Sequence, residues 1–204
     1  MNTHIKQRGF TLIEGIITIV LLAIAMITLV SFLFPQVERS AVPHYQARSA
    51  AMADAIFNEI LARQFDQKSD PYGDSVYRCG ENTAQDKENP CTLALRFGPD
   101  SLDEATKPEY SNDVDDFIGC WGDSKQCPEP YKYLDGKAYK KPTMTSRRGD
   151  LVTLFPSLAD GDYTHIFATI DVKEVADKPL KKIILTVNAG RYGKYDYIAY
   201  KGNY

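Results

Sequence analysis

Residues 8–34 read RGFTLIEGIITIVLLAIAMITLVSFLF, and this stretch decides how the rest of the chain is organised. Between positions 10 and 34 the only charged residue is Glu14. As a helix rising about 1.5 Å per residue, this run would be roughly 37 Å long, enough to cross a hydrocarbon core of about 30 Å with some tilt. The sequence therefore predicts a membrane-spanning helix near the N-terminus.

The residues before the apolar run argue against an ordinary secretory signal peptide. Such a peptide has an apolar stretch of about 7 to 15 residues and a small-residue cleavage site after it. Here a short basic segment with Lys6 and Arg8 leads to Gly9, the apolar run follows at once, and no A-x-A-like site closes it. We therefore expect an anchor that stays in the membrane. Lys6 and Arg8 predict a cytoplasmic N-terminal end by the positive-inside rule.

Glu14 needs an explanation, because an acidic group inside a bilayer costs about 2.5 to 3.5 kcal/mol even on the lenient insertion scale. One explanation is local. Thr11 and Glu14 have the T-x-x-E spacing of a capping box, in which the threonine caps the helix and the glutamate reaches back to its backbone N–H. The other explanation is a cationic partner supplied by a different chain.

Residues 8–14, RGFTLIE, resemble the processing and methylation motif of type IV pilins and of type II secretion pseudopilins. The resemblance rests on a glycine, a phenylalanine and a glutamate four positions later, set between a basic leader and a long apolar run. It implies that a prepilin peptidase cuts after Gly9 on the cytoplasmic side and that Phe10 becomes N-methylated. It also implies that Glu14 pairs with the N-terminal amine of a neighbouring subunit. Such a pair would offset the burial of the carboxylate through a short charge-assisted hydrogen bond.

The four cysteines all follow the apolar run, at Cys79, Cys91, Cys120 and Cys127. In an exported protein an even set of this kind predicts two disulfides. Three pairings are possible, and loop length favours Cys79 with Cys91 and Cys120 with Cys127 because short loops close at the least entropic cost. A zinc site is disfavoured, because neither spacing is the Cys-x2-4-Cys step that places two thiolates on one ion.

Beyond the anchor, the chain predicts an α+β fold like that of the pilin family it resembles. Pro35 and Pro43 suggest a helix that is kinked or locally melted but does not end. Apolar residues then recur at helical spacing and predict a stripe that a sheet must cover, with the helix fading near Phe65. The members of this stripe are Ala53, Ile56, Phe57, Ile60 and Leu61.

The remaining chain divides into a loop-rich region and a strand-rich region. Residues 67–150 are predicted to be looped and disulfide-stapled, with a short strand near Thr92 to Phe97. Three segments after position 150 are rich in β-branched and aromatic residues and predict an antiparallel meander: Tyr163 to Val175, Lys181 to Asn188 and Tyr195 to Lys201. The expected organisation is a leader at 1–9, a transmembrane and assembly helix at 10–34, an amphipathic continuation at 35–66 and a globular head at 67–204.

The head shows no glycine-rich phosphate loop, nucleophile elbow or HExxH pattern, so we expect neither an enzyme nor a cofactor. His165 is the one serious histidine candidate for catalysis, and a strand histidine is usually packed or solvated. Asp113, Asp115 and Asp116 could offer oxygen ligands to calcium, but without EF-hand spacing a solvated loop is favoured. Arg147 and Arg148 are likewise expected in a solvated loop. The tyrosines near the C-terminus could form a binding edge, although half-buried strand positions are ordinary for them; they are Tyr192, Tyr195, Tyr197, Tyr200 and Tyr204.

The resemblance implies a minor pilin, a structural subunit anchored in the inner membrane with its head in the periplasm and carried to the cell surface in the pilus. Its large, loop-rich head looks like that of minor pilins of the mannose-sensitive haemagglutinin type of pilus. The implied partners are other pilin subunits, the prepilin peptidase, the inner-membrane assembly platform and the membrane itself. Nothing in the charge pattern suggests nucleic acid. A minor pseudopilin of a type II secretion system and a pilus-tip adhesin remain as alternatives.

Overall fold

A computed structural model describes residues 11–69, 78–80, 90–133, 141–154 and 165–203 of the 204-residue chain. The chain falls into two units, Met1–His44 and Tyr45–Tyr204. From here on, the head means the second unit, which includes the last part of the N-terminal helix and so begins before the predicted residue 67.

Helix α1 runs from Leu12 to Leu61 and contains both Pro35 and Pro43. Each proline lacks a backbone donor and crowds the preceding turn. The helix is nevertheless uninterrupted at both positions. The expectation that the helix continues past the prolines is confirmed, and the expectation of local melting is wrong.

The predicted apolar stripe on the head portion of α1 is confirmed. Ile56 and Ile60 are fully buried in the core of the head, and Met52 and Ala53 are buried beside them. Phe57 and Leu61 are partly buried against the same core. Residues at this spacing share one helical face, so burying that face against a sheet stabilises both elements.

The helix ends at Leu61, a few residues before the predicted end near Phe65. The backbone of Gln64 turns aside to pair with a distant loop: its N–H donates to the carbonyl of Asn112 at 3.1 Å, and its carbonyl accepts from the N–H of Val114 at 3.1 Å. These long-range bonds replace the helical ones, and sequence periodicity does not report them.

Six strands form one sheet in the order β2-β3-β1-β4-β5-β6. The strands are β1 Gly119–Trp121, β2 Glu129–Pro130, β3 Ser146–Gly149, β4 Phe167–Glu174, β5 Leu180–Asn188 and β6 Lys194–Gly202. Strands β4, β5 and β6 pair antiparallel along their lengths, which confirms the predicted meander. Their inner face carries much of the core, because residues at every second position of β4 and β5 are buried: Ala168, Ile170, Val172, Ile183, Leu185 and Val187.

The loop-rich region also contributes to the sheet, which makes the sheet mixed and not purely antiparallel. Strand β3 pairs parallel to both β1 and β2, and β1 pairs antiparallel to β4. Gly119 is the first residue of β1 and has a φ of 145°. A Cβ at this position would lie 2.2 Å from Cγ of Arg148, so the close approach of β1 to Arg148 requires glycine. The strand predicted near Thr92 to Phe97 is wrong. Residues Ala94–Arg96 form a 3-10 turn, and Phe97 after it is fully buried.

The structure joins Cys79 to Cys91 and Cys120 to Cys127, the two pairs that loop length favours. One bridge fastens the loops that follow α1, and the other closes the turn after β1. Two short helices complete the described head: α2 Leu102–Thr106 and α3 Leu151–Leu154.

Arg148 corrects the expectation of a solvated basic loop. It is buried, and its guanidinium donates to four backbone carbonyls at 2.8 to 3.3 Å. The four carbonyls belong to Glu104, Ala105, Asp116 and Ile118. The guanidinium also lies over the rings of Trp121 and Tyr131. Arg148 therefore ties α2 and the segment before β1 to β3, a role its planar fork of donors suits.

Candidate functional site

The first part of α1 presents an apolar surface that its own unit leaves uncovered. Every large apolar side chain from Leu12 to Val37 is between 50% and 83% exposed. Among the residues that the structure describes, this is the one helix long and apolar enough to cross a membrane, judged by length and composition. Such a surface calls for lipid or other apolar helices around it.

The hydroxyl side chains within this apolar stretch are satisfied by the helix itself. Thr18 Oγ1 donates to the Gly15 carbonyl at 2.9 Å, Thr28 Oγ1 to the Ala25 carbonyl at 2.8 Å, and Ser31 Oγ to the Thr28 carbonyl at 2.9 Å. Because each hydroxyl already has a partner, its cost in an apolar environment is reduced. Glu14 is the exception in this stretch, since its charge requires a stronger partner.

Glu14 lies in the first turn of α1 with its side chain exposed on this apolar surface. The Gly15 N–H donates to the Thr11 carbonyl at 3.2 Å, so the helix begins directly after Thr11. This places Thr11 where a capping residue stands, and the capping box remains a prediction. Gly9 and Phe10, the predicted processing pair, lie outside the described residues.

Gly15 is a residue that the sequence reasoning missed. A glycine inside a helix costs roughly 1 kcal/mol relative to alanine. Within the described residues, nothing lies within 4 Å of the place where its Cβ would stand. Packing among the residues that the structure describes therefore does not explain the glycine, whereas the close approach of a neighbouring helix would. The position of Gly15 beside Glu14 was the sequence feature that could have predicted a close helix contact here.

The predicted calcium candidates are buried within the head, so the expectation of a solvated acidic loop is wrong. Asp113, Asp115 and Asp116 are each at most 2% exposed. Their carboxylates accept backbone N–H groups: Asp113 from Gln67 and Asp115, Asp115 from Gly98, and Asp116 from Asn112 and Asp113. Asp113 and Asp116 form a capping box around a 3-10 turn at Val114–Phe117. Calcium binding here stays a prediction that no observation tests.

Lys181 on β5 is the buried cation that faces these acids. Its Nζ contacts Asp115 Oδ1 and lies 3.4 Å from Asp66 Oδ2, and all three side chains are at most 2% exposed. The signal was present in the sequence, because Lys181 is in phase with Ile183 and Leu185 on the buried face of the strand. A lysine at such a position must be paired.

Burial and crowding shift the pKa values of this group. Burial, reinforced by the charges of Asp115 and Asp116, raises the pKa of Asp113 to about 9. Burial also raises the pKa of Asp116 to about 7. Burial disfavours the ammonium of Lys181, but the carboxylates of Asp115, Asp113 and Asp66 outweigh it and raise the Lys181 pKa. The group thus retains protons near neutral pH.

A possible metal cluster near this group does not supply thiolates. Ligand atoms of Asp66, Cys79 and Cys91 lie within 4.8 Å of one another. The two sulfur atoms are joined in a disulfide, and a disulfide lacks the thiolate that binds zinc.

The histidine and tyrosine candidates lie in ordinary surroundings. His165 is an exposed turn residue before β4, not a strand residue, and it packs edge-on to Tyr45 at 5.5 Å between ring centroids. Tyr192 stacks on Tyr45 at 3.9 Å. Tyr195 and Tyr197 are half-buried on the inner side of β6, whereas Tyr200 is exposed. Tyr204 lies outside the described residues.

Residues 5–30 match the family model described as the prokaryotic N-terminal methylation motif. Comparison with the curated proteins and with the solved structures gave no match. The matched segment contains Gly9, Phe10, Glu14 and most of the apolar run, and an α+β head follows it. This motif supports the type IV pilin and pseudopilin class, whose members are generally structural. The motif implies processing by a prepilin peptidase and assembly with other pilins.

Proposed function

We propose that the protein is a minor type IV pilin, a structural subunit that enters an envelope-anchored pilus through the apolar part of α1. The observation that carries this proposal is a single carboxylate, Glu14, exposed on an otherwise apolar helix surface within the matched methylation motif. In a filament this surface would be covered by the same helices of neighbouring subunits.

In this proposal the prepilin peptidase cuts after Gly9 on the cytoplasmic side, and Phe10 becomes the N-methylated first residue. The membrane holds the subunit as a single-pass inner-membrane protein with its head in the periplasm until the assembly platform extracts it. The motif and the membrane-capable helix support these steps.

Glu14 then sets the register of the subunit in the filament. The cleaved chain carries a cationic amine at Phe10, and the Glu14 carboxylate of an adjacent subunit would pair with it. A buried carboxylate and amine each cost several kcal/mol when alone, and a close hydrogen-bonded pair offsets much of that cost. Gly15 would let the neighbouring helix approach Glu14 closely.

The pseudopilin of a type II secretion system shares every feature above and differs in the machine it serves. Deleting the gene distinguishes the two. A minor pilin predicts that surface pili are lost or fewer while exoprotein secretion stays normal, and restoring the gene should restore the pili. Normal piliation with blocked secretion would favour the pseudopilin. Normal pilus number with lost attachment would favour the tip adhesin.

A further inference from the structure

One buried site in the head holds a lysine amine against a carboxyl group, and the proposed assembly function uses neither residue. Lys181 Nζ contacts Asp115 Oδ1 and lies 3.4 Å from Asp66 Oδ2. The rings of Phe65 and Phe97 lie 4.9 and 4.5 Å from the same nitrogen. Since all three charged side chains are at most 2% exposed, water is largely excluded from the place where amine and carboxyl meet.

We propose that the folded head forms an intramolecular isopeptide bond between Lys181 Nζ and Asp115 Cγ. The reaction is a condensation: the lone pair of the Lys181 amine forms the new N–C bond, and one Cγ–O bond of Asp115 breaks. An ammonium and a carboxylate together become one neutral amide and one water. The reaction needs no oxidant, reductant or activated co-reactant.

Neighbouring carboxyl groups can move the protons that this step requires. Asp66 Oδ2, beside the amine, can take a proton from the Lys181 ammonium, and Thr92 fixes Asp66 by donating both its N–H and its hydroxyl. Asp113 also lies within side-chain hydrogen-bonding reach of Asp115, whose N–H donates to Asp113 Oδ1 at 2.9 Å. There Asp113 can give one proton to the Asp115 oxygen that leaves. The second proton of the departing water comes from the nitrogen once the N–C bond has formed, so Asp66 ends with one proton more and Asp113 with one fewer.

The protonation states fit these roles. Burial raises the pKa of Asp113 to about 9, so this group is a carboxylic acid at neutral pH and can act as the proton donor. The Lys181 pKa is raised by its carboxylate neighbours against the effect of burial, so the nucleophilic free amine is scarce. The condensation is therefore a slow maturation that follows folding.

Two physical effects favour the amide over the ion pair. Well-oriented reacting groups held in contact reach effective molarities of about 10⁵ to 10⁸ M, because the entropy of bringing them together is already lost. The product also removes two buried charges, whose desolvation opposes the ion pair. The amide N–H that remains on Lys181 still faces Asp66.

Mass spectrometry of the full-length, membrane-extracted protein tests the proposal. After reduction of the disulfides, the wild-type mass should be lower than the mass of its processed sequence by one water. A proteolytic digest should contain a branched peptide that joins Lys181 to Asp115. Lys181→Arg keeps the cation but lacks the amine nucleophile, so both signatures should disappear. Asp115→Ala should abolish them as well. Lys182→Arg, one position along on the opposite face of β5, is the matched control and should retain both.

A wild-type protein of full sequence mass would overturn the proposal and leave these residues as an ion pair. A branched peptide joining Lys181 to Asp66 or Asp113 would overturn the assignment of Asp115. The wild-type mass alone shows whether the isopeptide bond forms, so the proposal can still be tested if a core variant fails to fold.

Discussion

Arg148→Met should destabilise the head strongly, because the change removes a cation that four backbone carbonyls share. The residues that supply those carbonyls are buried, so few waters can replace the guanidinium. At about 1 kcal/mol for each lost bond, the free energy of unfolding should fall by about 4 kcal/mol. This is a large part of the roughly 5 to 15 kcal/mol that holds a typical domain together.

Trp121 provides the assay. It is the single tryptophan of the chain, it is buried, and it lies beside Arg148, so its fluorescence reports unfolding of the head. Guanidinium titration of the detergent-solubilised protein should show a much lower midpoint for Arg148→Met. Arg147→Met is the matched control. It loses one bond to the Gly122 carbonyl and a partly exposed pair with Asp150, so we expect a loss of about 1 kcal/mol. Equal midpoints for the two variants would refute the bridging role of Arg148.

Three further outcomes are expected. Mass spectrometry of the mature protein should find an N-methylated Phe10 at the N-terminus, and an N-terminus beyond Phe34 would identify an ordinary signal peptide instead. Peptide mapping without reduction should recover the Cys79–Cys91 and Cys120–Cys127 links, and Cys120→Ser should lower stability by about 2 to 4 kcal/mol; four free thiols in the exported protein would contradict both. The head should lose stability as the pH rises from about 5 towards 9, because Asp113 and Asp116 have raised pKa values and bind more protons folded than unfolded. Asp113→Asn should flatten that profile, and a stability that rises over this range would contradict the burial of protonated carboxyls.

The sequence predicted the elements whose pattern is local. The run from Phe10 to Phe34 follows from composition alone, and the stripe around Ile56 follows from helical spacing. The β4–β6 meander follows from three long segments of strand-forming residues. In each case many residues of one segment favour the same secondary structure, so a single unfavourable residue such as Pro43 does not change the element that forms.

The sequence did not predict what depends on distant partners. Strands β1, β2 and β3 have three, two and four residues, too few for alternation to register. From sequence alone the acidic run at Asp113–Asp116 is predicted to be solvated. In the fold, Gln67, Gly98 and Lys181 lie against it and bind its carboxyl groups. Arg148 reads as a surface charge for the same reason. Lys181 differs, because its alternation with Ile183 and Leu185 along β5 was a local signal from which a buried charge could have been predicted, although no such prediction was made.

In the proposed function, Glu14 directs assembly and does not affect the fold of the head. Glu14 belongs to the unit Met1–His44, and the core of the head lies within Tyr45–Tyr204, so Glu14→Leu should leave head folding unchanged. Membrane insertion should be intact or improved, because the charged group is the costly one in lipid. Thr11→Ala is the control, since it weakens only the helix cap.

The decisive measurement is the amount of Glu14→Leu protein in sheared, purified filaments, relative to its amount in the membrane and to the wild-type ratio. We predict a membrane pool at the wild-type level and little or no variant in filaments, while Thr11→Ala protein enters filaments normally. Glu14→Leu protein present in filaments at the wild-type ratio would contradict the pairing of Glu14 with a neighbouring N-terminal amine. If Thr11→Ala alone then failed to assemble, helix capping would be the role of this segment.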